Sequence, residues 1–335
     1  MPPSPLCDPP VTFFMDVPAA ELDAWRNLRA DEAPQRLVLG EHYWVALTHA
    51  RLRDAGVPVC LENRLPPSGA VVFYAGDKRA VWRRQQETRS RALLAAIRSD
   101  RNPVGFADVE IVQNASSADG HRCLYMPHWP QPGLVARAPA RGVRPRTVLF
   151  PGTAGNLHPG FHGARWAMFL RMRGMAFHCH FESGTRYPAL FHDLRDIDLM
   201  LALRPAGATL VRNKPAWKLF NAWRAGVPAI LGPESGYREL RRGPLDYLEA
   251  GSVEQVMSAI DRLLDEPRLY QAMVDNGLAR GQAYGVEATV ARWQALIEDV
   301  LLPRAAALQR RPAPVWQRGA RDARMRLRRM LSGAA

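Results

Sequence analysis

Cysteine is scarce in this sequence and scattered: Cys7, Cys60, Cys123 and Cys179, with no C-x-x-C pair. That spacing supports neither a disulfide framework nor a zinc site, and reads as reduced, mostly buried thiols. No run approaches the ~18 apolar residues that a membrane span needs. The opening stretch MPPSPLCDPPVTFFMDV has neither the cationic start nor the unbroken apolar core of a signal peptide. The expectation is a soluble, cytoplasmic, unexported protein. Repeats of 20 to 50 residues are missing as well, which excludes solenoids and propellers.

Acids are short in one place only. The formal net charge is +13, but Pro303 to Ala335 hold nine arginines, no lysine and one acid, Asp322, so this tail supplies +8 and the body is only modestly basic. Within the tail, Trp316, Ala320, Ala323, Leu327 and Leu331 recur at helical spacing while Arg318, Arg321, Arg328 and Arg329 fall mostly elsewhere. A helix resting on an anionic membrane is written this way. A disordered basic tail and a nucleic-acid contact are the other readings.

What is present is a strand–helix rhythm long enough for two domains. The chain has 335 residues, 47% of them hydrophobic, which suffices for two cores. Val11 to Met15 reads as a strand, Leu37 to Gly40 as another, Tyr43 to Asp54 as a helix ending at Gly56, and Val57 to Leu61 as a strand. Ala70 to Tyr74, Val109 to Val112 and Arg122 to Met126 are further strands, with a long basic helix over about Lys78 to Arg98 among them. After a proline-rich stretch the pattern restarts. Thr147 to Phe150 is a buried strand, Phe161 to Arg173 a helix, Met175 to Phe181 and Ile197 to Leu203 strands. Helices follow near Ser252 to Leu264, Glu266 to Arg280 and Val286 to Leu302. The expected division is a lobe over 1–135, a linker over 136–145, a second lobe over 146–302, and the basic amphipathic tail over 303–335. Alternating strands and helices imply parallel α/β sheets.

The stretch from Arg212 to Leu240, RNKPAWKLFNAWRAGVPAILGPESGYREL, is the most informative. It reads as a loop with Arg212 and Lys214, a helix from about Pro215 to Ala225, a stop at Gly226, a buried strand Pro228 to Leu231, and a turn opening a short helix. Leu219, Ala222 and Trp223 share one helical face, leaving Lys214, Lys218 and Asn221 on or beside another. Free amides and cations at strand ends attract phosphate.

The order Lys-Pro, Lys-Leu, polar residue, small residue, Gly-x-Pro, apolar strand, Gly, Glu-Leu resembles the donor-binding segment of GT-B glycosyltransferases. Pro228 to Leu240 is similar to the pattern of the retaining, nucleotide-sugar-dependent, group 1-type branch. The resemblance implies an α/β fold of two Rossmann-like lobes facing across a cleft, with the last helix crossing back to the first lobe. It implies a metal-independent hexosyltransferase-like enzyme with no cofactor, using a nucleoside-diphosphate sugar as co-substrate and a saccharide or lipid-linked acceptor. Many members carry two glutamates eight positions apart, where this chain has Asn213 and Asn221. Asn221 can still hydrogen-bond a ribose hydroxyl, whereas an amide at 213 supplies no negative charge.

The candidate donor-binding residues are Gly152, Gly155 and Asn156 in the loop after Thr147–Phe150, then Arg212, Lys214, Lys218 and Asn221, then Ser235, Gly236, Tyr237 and Glu239. The loop, Pro151-Gly-Thr-Ala-Gly155-Asn156, is not G-x-G-x-x-G, so a nicotinamide cofactor is unsupported; a plain turn is its alternative reading. Lys218 is the candidate catalytic cation, since a fixed ammonium stabilises a departing diphosphate and takes the place of a metal ion. The alternative is that Lys214 and Lys218 are ordinary solvated lysines. Glu239 is read either as a ligand contact or as part of a capping box with Ser235 or Gly236. An inverting enzyme needs a general base, and His42, at a helix entrance in the first lobe, is the candidate, against a structural histidine; an enzyme that retains configuration, as the resemblance implies, needs no such base, the donor phosphate taking that role. Asp196-Ile-Asp198 and His178-Cys179-His180 are weighed as metal ligands and read as structural. Two functions of other classes stay open: a two-lobed binding protein without catalysis and a basic nucleic-acid-binding protein.

Overall fold

The computed structural model describes residues 11–152, 154–179, 192–205, 214–311 and 315–331. Cys7, His180, Arg212 and Asn213 lie outside the described residues. The chain divides into two compact units, one of Met1–Pro127 with Thr289–Ala335 and the other of His128–Ala288.

The first unit is organised on six parallel strands: β1 Val11–Phe14, β2 Cys60–Glu62, β3 Ala70–Tyr74, β4 Leu93–Ile97, β5 Val109–Val112 and β6 Cys123–Tyr125. Their order is β2-β1-β3-β4-β5-β6. Strands β1, β3, β4 and β5 are buried at every position, as expected of a parallel sheet covered on both faces. Helices α1 Ala19–Arg26, α2 Leu47–Asp54 and α3 Lys78–Thr88 lie among them in sequence.

Two expectations fail here for local reasons. Leu37 to Gly40 form no strand, because the amides of Val38 and Leu39 both donate to His42 Nδ1 at 3.2 Å, and the chain passes into a π-helical turn, His42–Ala46, that continues as α2. The basic segment Lys78 to Arg98 is not one helix either. It ends at Thr88, Arg89 takes a left-handed φ of 51°, and Leu93–Ile97 enters the sheet as β4. Five consecutive buried apolar residues have no polar side to offer a surface helix, so that run fits only the middle of the sheet.

The second unit is a five-stranded parallel sheet: β7 Thr147–Phe150, β8 Ala176–Cys179, β9 Leu199–Ala202, β10 Ala229–Leu231 and β11 Leu248–Glu249, in the order β11-β10-β9-β7-β8. Its helices are α4 Ala164–Met172, α5 Trp217–Ala225, α6 Ser235–Arg238, α7 Val253–Asp265 and α8 Pro267–Gly281. Alternate strand residues serve opposite faces. Val148, Phe150, Leu201 and Ile230 pack with α4, α7 and α8, while Leu149, Met200, Ala229 and Leu231 pack with α5 and Tyr237. Residues expected to form a linker, 136–145, are instead built into this unit. Arg137 Nε and Arg141 Nε donate to Asp198 Oδ1 at 2.9 and 2.8 Å, and the amides of Arg146 and Thr147 donate to Asp198 Oδ2. Burial alone would raise the Asp198 carboxyl, but these partners, Arg141 foremost, hold it below the usual range. Both its oxygens are therefore committed to pinning the start of β9.

The last helices return to the first unit. The boundary falls inside α9, Val286–Leu296, where Trp293 lies 5.9 Å from the Phe13 ring, and α10 Leu302–Arg310 and α11 Val315–Leu331 follow. Within the expected basic amphipathic tail, α11 is docked on the first unit. Arg318 is 3% exposed and donates to Asp108 Oδ2 at 2.5 Å and to Ala92 O at 3.0 Å, so the arginine expected on the outward polar side faces the body of the first unit.

Candidate functional site

A parallel sheet opens a crevice at the carboxyl ends of its strands where neighbouring connections leave in opposite directions. In the second unit this point lies between β7 and β9, since the chain goes from β7 to β8 on one side and then to β9 on the other. Four segments bring polar side chains to it. The loop after β7 carries Gly152 and Asn156, the second residue beyond β9 is Arg204, the start of α5 carries Lys218, and the turn after β10 ends at Glu234.

These groups are connected. Arg204 Nε donates to Glu234 Oε1 at 2.9 Å, and Arg204 Nη1 donates to Asn156 Oδ1. Lys218 Nζ lies 5.2 Å from the centroid of the Phe150 ring. A Cβ at Gly152 would sit 3.6 Å from Lys218 Nζ and only 2.9 Å from Phe150, so the missing side chain leaves the ammonium room beside the loop. Lys218 is 8% exposed and is no solvated surface lysine. Burial, reinforced by the Arg204 charge and opposed by Glu234, pushes its ammonium down to about 7.

Helix α5 explains why Lys218 is held so tightly. Gly226 ends it with a φ of 65°, which a side chain would strain. Its outer face meets α8 at two glycines: a Cβ at Gly277 would meet Trp223 Cδ1 at 3.2 Å, and one at Gly281 would meet the Arg224 amide nitrogen at 3.0 Å. Trp223 Nε1 further donates to Asp246 O at 2.8 Å. The expected division into an apolar and a polar face is therefore incomplete, because α5 is buried almost all round and Lys218 and Asn221 are buried with it. Asn221 is 2% exposed. Its Oδ1 accepts from the Gln131 amide at 3.0 Å, while its Nδ2 has no partner among the described residues.

The remaining second-unit candidates disperse. Lys214 is half-buried before α5 and adds to the positive field at Lys218. Gly155 is exposed, with open space around it. Ser235 begins α6 and is half-buried, Gly236 is buried, and Tyr237 is 2% exposed in the core against Tyr247. Glu239 follows α6, its amide donating to Ser235 O at 3.0 Å, and the N-cap is Glu234, so the capping-box reading of Glu239 is corrected.

In the first unit, His42 Nδ1 is the acceptor for two backbone amides, and the ring lies 4.3 Å from Trp25. Burial lowers it to about 4, so at neutral pH the single proton sits on Nε2. A nitrogen already carrying a proton cannot take another from a hydroxyl at that pH, and the geometry is that of a structural histidine. Acids gather instead at the corresponding crevice of this sheet, between β1 and β3: Asp16 just beyond β1, Asp77 just beyond β3, and Glu41. Burial, then the charges of Glu41 and Asp16, raise the Asp77 carboxyl to about 7, and Asp77 Oδ2 is buried without a partner among the described residues. Gly40 and Gly76 both lie against the Tyr74 ring, whose hydroxyl accepts from Arg101 Nε at 2.8 Å.

Neither a family model nor a curated protein sequence matches the chain. Solved structures do match. HepE from Anabaena, determined in complex with UDP-glucose, aligns with a TM-score of 0.50 and 12% identity over 87% of this chain and 99% of that one. The fold is GT-B. An α1,3-fucosyltransferase aligns over 87% of this chain and 90% of its own, with a TM-score of 0.49 and 8% identity. Sucrose-phosphate synthase from Thermosynechococcus elongatus aligns over 69% and 73%, with a TM-score of 0.46 and 14% identity.

Within this GT-B chain, Glu234 belongs to the turn already expected to hold sugar hydroxyls or phosphate, whereas Arg204, Asp16 and Asp77 are not among the sequence candidates. One signal was available: each lies within three residues of the end of a buried strand.

Proposed function

We propose that this chain is a glycosyltransferase that moves a sugar from a nucleoside-diphosphate-sugar donor to a saccharide or lipid-linked acceptor. The observation that carries this reading is the convergence of Lys218, Arg204 and Asn156 at the strand-end crevice of the second unit. The donor diphosphate lies there. As its bond to the sugar breaks, charge builds on the leaving phosphate oxygen, and two fixed cations stabilise that charge more than they stabilise the bound donor. Arg204 is always charged, and Lys218 takes up a proton as the phosphate arrives. HepE was determined with UDP-glucose, which supports a donor of this class. Asn221 Nδ2 is the donor group available to a ribose hydroxyl.

The same reading assigns the acceptor to the first unit, where Asp77, in place of His42, has the proton affinity of a base working near neutral pH. It also makes transfer metal-independent, so excess chelator leaves the rate unchanged. Residues 303–335 rest on an anionic membrane surface on the cytoplasmic side, a reading supported by the exposed Trp316 and Leu327 of α11. No helix among the described residues is long and apolar enough to cross a membrane. The test is thermal stabilisation by UDP, GDP, ADP and their sugars, followed by donor hydrolysis with the stabilising ligand. A chain that no nucleoside diphosphate stabilises, and that hydrolyses no nucleotide sugar, overturns the proposal.

A further inference from the structure

A pocket of about 300 Å³ opens between α11 and the loop before β5, lined by Gly105, Arg122, Arg321, Arg324, Met325 and Arg328. The loop is built to receive the helix. Gly105 donates its amide to Asp322 Oδ1 at 3.1 Å and lies so close to the Asp322 backbone that no side chain fits there. Arg122 braces the same loop through the carbonyls of Val104 and Ala107, at 2.6 and 3.2 Å.

Positive charge in the pocket exceeds its neutralisation. Arg321 shares Asp108 with Arg318, so two guanidinium groups divide one carboxylate. Among the described residues, Arg324 donates only to the Ala320 carbonyl, and Arg328 has no ion pair. Around the helix, Arg318, Asp322 and Met325 form the docked side and Trp316, Ala323, Leu327, Met330 and Leu331 the opposite one, with Arg321, Arg324 and Arg328 in between. On the outward side Trp316 is 70% exposed, Leu327 56%, and Met330 and Leu331 79% each. Large apolar side chains at that exposure, bordered by Arg324 and Arg328, which have no ion pair among the described residues, complement one kind of surface, an acyl layer edged with phosphates.

We propose that α11 seats this protein on a bilayer of anionic phospholipid, a lipid phosphate entering the pocket of Arg321, Arg324 and Arg328 while Trp316, Leu327, Met330 and Leu331 enter the acyl boundary. This rests on the reading that residues 303–335 meet a membrane, and is independent of the donor chemistry. It adds a defined headgroup site and an orientation. Arg318 holds α11 to Ala92 and Asp108, just before β4 and β5, so the seat lies at the edge where the strands begin. Asp77 is at the edge where they end.

The test is co-sedimentation of the full chain with vesicles of phosphatidylcholine alone and of phosphatidylcholine with phosphatidylglycerol. The protein is expected to bind only the second. Arg324→Ala with Arg328→Ala should lower the partition coefficient about fivefold per arginine, or about twenty-five-fold together. Trp316→Ser with Leu327→Ser should lower it at least about tenfold. In a separate assay brominated lipids should quench a component of tryptophan fluorescence that Trp316→Phe removes. Nucleoside diphosphate binding and thermal melting serve as controls and should not change in any of these variants, which separates failure here from failure of the enzymatic reading. Equal binding to neutral vesicles, no vesicle binding, or binding indifferent to the arginine pair overturns the proposal. So does RNA retention without vesicle binding, a dimer that Trp316→Ser dissolves, or saturation by inorganic phosphate in a protein that ignores vesicles.

Discussion

The two sheets have the same construction and opposite chemistry at their crevices. In the second unit, between β7 and β9, cations are gathered: Arg204 bound to Glu234 and Asn156, and Lys218 buried beside Phe150. In the first unit, between β1 and β3, carboxylates are gathered, Asp16, Asp77 and Glu41. Burial acts alike on both sets, disfavouring the charged form, so the lysine is driven down and the aspartate up until each titrates near 7. One architecture thereby holds a lysine at one crevice and a carboxyl at the other, each with its charged form disfavoured near neutral pH. The strand ends supply the place; the side chains that the neighbouring segments bring there supply the sign.

The comparison can be broken at either end. The largest effect is expected from Lys218→Ala, which should slow donor turnover about 10²- to 10³-fold, the scale of losing one preorganised electrostatic donor. A loss below about tenfold in kcat for donor hydrolysis removes Lys218 from the mechanism. Asp77→Asn should slow transfer to the acceptor by about a hundredfold while leaving the Kd for the nucleoside diphosphate unchanged. A matched loss of donor affinity would contradict the separation of the two edges.

Titration sharpens the same contrast. The Lys218 pKa is depressed in the folded state, so the unliganded protein favours the neutral amine and loses stability as pH falls from the ordinary lysine range through about 7. A bound diphosphate favours the ammonium, so binding above pH 7 takes up a proton. Nucleoside diphosphate affinity should therefore fall about tenfold per pH unit above about 7, with one proton taken up in calorimetry in buffers of differing ionisation enthalpy. Lys218→Met should abolish that uptake. Asp77 has the opposite sign: its raised pKa favours the protonated form, so its contribution to stability is present below 3.8 and lost as pH rises from there to about 7, and Asp77→Asn should flatten the melting temperature over that window. The smallest effect belongs to Asn156→Ala, which removes an acceptor from Arg204 and should weaken donor binding by about 1 kcal/mol, roughly fivefold in Kd.

Much of this was legible in the chain because it is local. The stop at Gly226 and the buried strand after it are written in short patterns that the fold keeps, whereas the return of the last helix is implied only by the family resemblance. What escaped depends on distant partners. Leu93 to Ile97 has good helix formers, and only its place between β3 and β5 makes it a strand. Lys218 and Asn221 look like a polar helix face until Phe150 and Gln131 meet them, while α8 covers the other side of α5 through Gly277 and Gly281. Asp77 is one acid among many by sequence, and its proton affinity arises first from burial and then from Glu41 and Asp16, 36 and 61 positions away. His42 was singled out for its residue type, whereas its role was decided by the two amides that point at its ring.

The return of the last helices has a consequence for synthesis. Phe13 meets Trp293, and Asp108 meets Arg318, only after the intervening second unit has been made. The first sheet is thus closed after residues 128–288, which are continuous and have their own two cores to collapse around in the meantime. A nascent chain with residue 288 clear of the exit tunnel would hold a complete second unit and a first sheet still waiting for its closing helices.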